Sequence, residues 1–478
     1  MTVIGAGLAL SAYILISYCI GRLIVALAGL RVDALARAGS PLIGASAVAI
    51  QLWVYGVVHV PWHIALLVGP WLVAAVVWRR RFVAAVGADA AGVRQLLRGL
   101  GDLDPLTAGV LAVGVATAAF YFLNLLVQPL VGWDAIAMWL FKAKVFFDAG
   151  AVDLSLVPVN VSPPVERHLD YPPLFPLMLD SFWVLIGHVD GVIGKSIGFI
   201  FLIAAVASAA ATLLPLLGKR LTALIAFLLV AMPTLQTSFV LPYYMGYADY
   251  AVAALMMISL AHLYTSARLG RDQASALSFA FAALAALTKN EGITFLIVVS
   301  IVIGAGLAWG FFKQREWPSR RLIVVAAASI IPVLAWQAYA RVHGFNNDLV
   351  SQQHPQWTVE LLASRAQTIA TFLWHLIDRF NDYPWLVLAW IVSITLAVLS
   401  KDRRLAAVWA IVTIQAAFYC LALLLSPYAV SFLLTTAADR LILQLSPSLV
   451  LLLGLALSGA PSAGVSAQRR PGLAVAQP

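Results

Sequence analysis

Runs of about twenty apolar residues recur along almost the whole chain, and most charged residues are confined to the intervals between them. A run of that length, wound as an α-helix, spans the roughly 30 Å hydrocarbon core of a bilayer. A helix also satisfies its own backbone polar groups there, where no water can do so. Composition agrees: 62% of the 478 residues are hydrophobic and 11% are charged. Soluble domains carry about a quarter charged residues. The expected fold is therefore an all-α integral membrane protein. About thirteen transmembrane helices are expected, at 6–28, 41–59, 62–78, 106–128, 192–217, 221–240, 249–267, 274–288, 293–311, 322–341, 384–399, 405–426 and 441–459, with juxtamembrane helices on the outer face.

The net charge of +9 does not signal nucleic acid, because the basic residues form no single patch. Twenty of the 30 lysines and arginines fall on one side of this layout, in the clusters 79–98, 219–220, 313–321, 401–404 and 469–470 and at Arg31, Arg37, Arg268 and Arg271. By the positive-inside rule that side is the cytoplasm. The N-terminus is then outside and the C-terminus inside. Cys19 and Cys420 both lie in apolar runs and imply neither a disulfide framework nor a metal site. The N-terminus reads as a first span and not as a cleaved signal.

One decision fixes the topology. The apolar run 172–188 has the length of a further span, but counting it as one would put the later basic clusters on the wrong side. It is therefore expected to be a re-entrant or interfacial helix on the outer face, opened by Pro172, Pro173 and Pro176. The chain divides into N-terminal helices and a cytoplasmic linker (1–105), a core with the outer loop 129–191 (106–312), C-terminal helices with the outer segment 342–383 (313–460), and a small polar tail (461–478) expected to be disordered.

The outer face gathers the residues that could carry chemistry. Gly132-Trp133-Asp134 opens the first long loop, and 135–148 read as an interfacial helix. Asp134 suits a helix N-cap and equally a carboxylate that deprotonates an acceptor hydroxyl. Lys142 and Lys144 point about 200° apart on a helix, so at most one can face a given ligand. The loop ends in the polar cluster Glu166-Arg167-His168-Leu169-Asp170-Tyr171. Asp249 opens a span beside Tyr243, Tyr244, Tyr247 and Tyr250. Thr288-Lys289-Asn290-Glu291-Gly292 interrupts a run too short to reach the membrane surface. Lys289 and Glu291 should therefore sit below it, paired with each other or facing a wet cavity. Asp439 and Arg440 precede the last span. Arg365 and Arg379 lie on or beside an amphipathic helix at 358–380.

In order and placement, four of these features carry a resemblance: Gly132-Trp133-Asp134, the Tyr171-Pro172-Pro173-Leu174 turn, Asp249 at a span start, and Leu287-Thr288-Lys289-Asn290-Glu291-Gly292. The chain resembles the GT-C superfamily of polytopic glycosyltransferases over about residues 106–312. Its nearest branch there holds protein O-mannosyltransferases and the bacterial aminoarabinose transferase that acts on lipid A. The resemblance implies a polyprenyl-phosphate sugar donor, inverting transfer outside the cytoplasm, and a glycan, lipid or protein acceptor. It puts a general-base role on Asp134, with Asp249 as second carboxylate. Lys142 or Lys144, Arg167, Lys289 and Arg440 are the candidate contacts to the donor phosphate. Trp133, His168, Asp170, Tyr171, Tyr247 and Glu291 are candidates for the pocket wall. Some relatives carry adjacent acids where this chain has Asp134-Ala135, which weighs against protein mannosylation. A divalent cation shared by Asp134 and Asp249 stays open. The alanine, valine and arginine richness suggests a high-GC bacterium, and the expected location is a bacterial inner membrane with the site facing outward. A secondary transporter, or a lipid-linked polysaccharide polymerase or ligase relying on Arg365 and Arg379, are the alternatives.

Overall fold

The computed structural model describes residues 2–30, 33–154, 157, 168–269, 271–315, 317–345, 347, 355–378 and 383–459. Arg167, Arg379 and the tail from 461 lie outside them. The described residues are mostly helical and contain no strand. The principal helices are α1 (Val3–Leu27), α2 (Ala34–Val57), α3 (Ile64–Val77), α4 (Arg79–Leu100), α5 (Pro105–Val127), α6 (Phe141–Ala149), α7 (Leu174–Ile186), α8 (Gly198–Ala231), α9 (Pro233–Phe239), α10 (Asp249–Leu269), α11 (Arg271–Thr288), α12 (Glu291–Gln314), α13 (Arg320–Val342), α14 (Val359–Asp378), α15 (Pro384–Ser400), α16 (Arg403–Leu425), α17 (Val430–Thr436) and α18 (Ala438–Gly459). Among the described residues, eight helical stretches are long and apolar enough to cross a membrane, and four shorter apolar helices accompany them.

The bundle has two chemically different ends. At one, Lys219 Nζ donates to the Gly99 carbonyl at 3.1 Å and Arg321 to the Gly29 carbonyl at 2.9 Å. Helix starts at this end are capped by Asp33, Asp104, Ser319 and Asp402, whose side-chain oxygens accept from N–H groups of the first turn. At the other end, Lys195 Nζ donates to the Gln128 carbonyl at 2.6 Å. Residues 128 and 195 are thus neighbours, so the chain between them leaves and returns to the same end. The 13-residue α7, which covers most of the run 172–188, lies inside that excursion. Every residue from Leu174 to Val184 is buried, and Tyr13 in α1 bonds Ser181 at 2.8 Å. Protein, not solvent or lipid, surrounds most of this helix.

Helix α8 bends back at Gly218, whose φ of +73° suits a residue without a Cβ. Past the bend, Tyr121 of α5 donates to the Val230 carbonyl at 3.1 Å and Asn124 to Phe239 at 2.8 Å. The second arm thereby climbs back to the Lys195 end. The stretch after residue 78, expected as a linker, is instead the 22-residue helix α4. Its apolar residues recur at helical spacing, Val83, Val86, Ala90, Val93 and Leu97, a pattern that marks an amphipathic helix.

Candidate functional site

Gly132 sets the geometry at the Lys195 end. A Cβ there would lie 2.4 Å from the Tyr243 carbonyl, so only glycine lets this loop close on the tyrosine loop 243–247. The Asp134 N–H then donates to the Tyr247 hydroxyl at 3.2 Å. Asp134 precedes a π-helical turn, Ala135–Leu140, but its carboxylate makes no capping bond. It pairs instead with Arg440 Nη1 at 2.6 Å. The capping reading of Asp134 is therefore not the one the structure adopts. The expected helix at 135–148 is this π turn followed by α6.

Arg440 opens α18 and bridges two carboxylates. Its Nε reaches Asp249 Oδ2 at 2.9 Å while its plane lies over the Tyr247 ring, 4.8 Å from the centroid. Lys289 holds the other oxygen of Asp249 at 2.7 Å and Glu291 Oε1 at 2.7 Å. The interruption after α11 thus contains the Lys289–Glu291 ion pair and is joined by a second acid. One helical turn beyond Arg440, Gln444 donates to Asp249 Oδ1 at 2.7 Å, and Tyr419 donates to Gln444 Oε1 at 2.6 Å, which fixes the amide. The order is a continuous chain: Asp134, Arg440, Asp249, Lys289, Glu291. Asp249 is 1% exposed and both its oxygens are occupied. Asp134, by contrast, borders open space. Glu291 Oε2 is buried and makes no hydrogen bond among the described residues.

That open space is a cavity of about 760 Å³. One wall is polar and aromatic, with Asp134, His168, Tyr171, Tyr247, Glu291 and Arg440. Helices α16 and α17 add apolar lining from Phe418, Leu423, Phe432 and Leu433, together with Tyr419, Thr435 and Thr436. Trp133 lies at its rim and is 62% exposed. Tyr171 is sandwiched between Trp139 and His168, with ring centroids 5.4 and 4.9 Å away and planes nearly parallel. Asp170 does not line the cavity. Its Oδ2 accepts from the side-chain amides of Asn290 and Asn347, and its carbonyl accepts from Trp336 at 3.1 Å.

The two lysines of α6 part as their spacing requires. Lys144 faces outward and pairs with Asp148 at 2.7 Å, far from the charged chain. Lys142 is fully buried behind the aromatic stack and donates to the carbonyls of His168 at 2.6 Å and Tyr171 at 3.0 Å. Neither lines the cavity, so neither occupies the phosphate-contact position expected of one of them. Lys142 instead clamps the turn that carries His168 and Tyr171. Burial pushes its pKa down to about 7 from 10.5, against a smaller upward pull from Asp170. Between those two values the unfolded chain holds more protons than the folded one, so stability rises with pH across this window. Lys142→Met is expected to flatten that rise, measured as unfolding temperature between pH 7 and 9 in detergent. Burial likewise pushes the Tyr247 hydroxyl up to about 12, so it stays protonated near neutrality.

For a divalent cation the residues do not fit. The Arg440 guanidinium fills the gap between Asp134 and Asp249, and the described residues contain no group of three metal-ligating side chains. Sequence reasoning missed Gln444, Tyr419 and Asn347. The signal for Gln444 was a glutamine four residues after Arg440 inside an apolar span, where a polar side chain is costly without a partner.

No protein family, no curated protein and no solved structure matches this chain.

Proposed function

We propose that the chain is an inverting membrane glycosyltransferase of the GT-C kind, taking a sugar from a polyprenyl-phosphate donor. In this reading it crosses the membrane thirteen times. The arginine-rich end faces the cytoplasm of a bacterial cell, and the cavity opens on the outer side of the inner membrane. The observation that carries the reading is the cavity's mixed lining, apolar side chains of α16 and α17 beside charged and aromatic ones. A lipid-linked sugar phosphate needs an apolar surface for its isoprenoid, cations for its phosphate, and aromatic and polar groups for its sugar. Leu423, Phe432 and Leu433 supply the first, Arg440 the nearest cation, and the His168–Tyr171 stack the third.

The chemistry follows from these positions. Asp134 takes the proton of the acceptor hydroxyl as the acceptor oxygen bonds to the anomeric carbon. The bond from that carbon to the phosphate oxygen breaks on the opposite face, and the electron pair leaves with polyprenyl phosphate. Arg440, and Lys289 behind it, offset the charge gathering on the leaving phosphate. Asp249 touches neither reactant. Saturated by three donors, it holds Lys289 and Arg440 in place. The rival polymerase or ligase reading relied on arginines in a late outer segment, Arg365 and Arg379, of which Arg379 lies outside the described residues. Arg365 donates to the carbonyls of Leu423, Ser426 and Tyr428 and fastens α14 to the α16–α17 turn. The test is direct: incubate the purified chain with a panel of radiolabelled polyprenyl-phosphate sugars and follow loss of label from the lipid. Turnover with one donor establishes the class and names the sugar. A panel that neither binds nor turns over sinks the proposal.

A further inference from the structure

The helix α4 has more charge and more exposed apolar surface than a connector needs. It starts two residues after α3 ends at Val77 and stops five residues before α5 begins at Pro105. Both of its ends are therefore pinned to the level at which two apolar helices finish, and it must run along that surface. Three cations of the bundle fasten it there. Arg22, fully buried, bonds Asp89 of α4 through Nε at 2.6 Å and Nη2 at 3.2 Å. Arg37 donates to the Ala88 carbonyl at 3.3 Å, and Lys219 to Gly99 at 3.1 Å.

What α4 turns away from the bundle is the informative part. At about 100° per residue, Val83, Val86, Val93 and Leu97 share a face about 80° wide. Val83 is 66% exposed and Leu97 59%. Arg80, Arg94 and Arg98 lie along one flank of that face, within about 60° of its edge. Asp89 and the buried Ala85 lie on the other flank, against the bundle. Arg79, Arg80, Arg81, Arg94 and Arg98 make no ion pair among the described residues, and the only acid of α4, Asp89, is already taken by Arg22. An apolar stripe edged by unpaired arginines, fixed at the level of the membrane surface, matches a leaflet with negative headgroups. The stripe enters the acyl boundary and the arginines reach the phosphates.

We propose that α4 is a binding site for anionic phospholipid in the leaflet at the arginine-rich end. The proposal is independent of the glycosyltransferase reading, since α4 lies at the opposite end from the cavity. To test it, the full chain is purified in detergent, stripped of lipid, and titrated with phosphatidylglycerol or phosphatidylcholine while its unfolding temperature is followed. Phosphatidylglycerol is expected to bind more tightly. Replacing Arg80, Arg94 and Arg98 together by Gln should reduce that preference by roughly tenfold. Replacing the same three by Lys should keep it. The triple change Lys313→Gln, Arg315→Gln and Arg320→Gln removes equal charge from the same end and should leave it intact. If the α4 triple does not fold, Arg94→Gln and Arg98→Gln singly should each lower the preference by roughly twofold to fivefold. The proposal is overturned by equal binding of the two lipids, by no change in the α4 variants, or by an equal loss in the 313–320 control.

Discussion

Replacing Asp249 by Ala is expected to destabilise the protein by about 3–5 kcal/mol, the cost of removing one partner from a buried ion pair. The reason lies in what the substitution strands. Lys289 is 3% exposed and Arg440 17%, and both face Asp249 at under 3 Å. Without that carboxylate, two cations remain with one acid each, Glu291 and Asp134, and the Gln444 amide loses its best acceptor. Arg440 keeps some contact with water, which discounts its share. Asp249→Asn should cost less, because the amide oxygen still accepts one hydrogen bond while the charge is lost. Unfolding temperature in detergent, read for both variants and for Lys289→Met alone and combined with Asp249→Ala, gives the coupling. An Asp249→Ala protein that melts with the wild type would mean that the five charges act separately and that Asp249 is no anchor.

The same cluster shows how far the sequence could be read. Lys289 and Glu291 stand out in one dimension because an apolar run stops too early for a bilayer. Charges at that depth need partners, and they have them in each other. Asp134 and Asp249 stand out because each opens a helix just beyond an apolar run. The identity of the partners does not show, since it depends on which helices meet. Asp249 and Arg440 are 191 positions apart and come together only because α10 packs on α18. Lys142 is the opposite case. Its spacing from Lys144 predicted that the two would diverge, but not that the inward one would clamp backbone carbonyls instead of facing a ligand. Its burial depends on the 168–171 turn folding over α6, which no local pattern announces. The excursion that holds α7 could be read only as far as its ends: Gln128 and Lys195 close on one another at one end of the bundle, as an outer loop between two spans requires.

Asp134→Asn is expected to lower turnover by roughly 10² to 10⁴, the range a positioned base contributes, while leaving the fold and donor binding near wild type. The amide keeps the shape of the carboxylate. Arg440 keeps Asp249, with its Nε still bonded at 2.9 Å, so little stability is lost. What disappears is the ability to hold the acceptor's proton as the new bond forms. The contrast with Asp249 is the discriminating part. Asp249→Asn should lower stability and turnover together, because it loosens Arg440, which lines the cavity, and the buried Lys289 behind it. Asp134→Asn should lower turnover alone. Single-turnover loss of label from a bound polyprenyl-phosphate sugar, measured beside donor binding and unfolding temperature, separates the two. Wild-type turnover in Asp134→Asn would place the base elsewhere and leave Asp134 as a partner that orients Arg440. A parallel fall in binding, stability and turnover would make it a structural member of the charged chain, and the open side of the cavity would then lack a base.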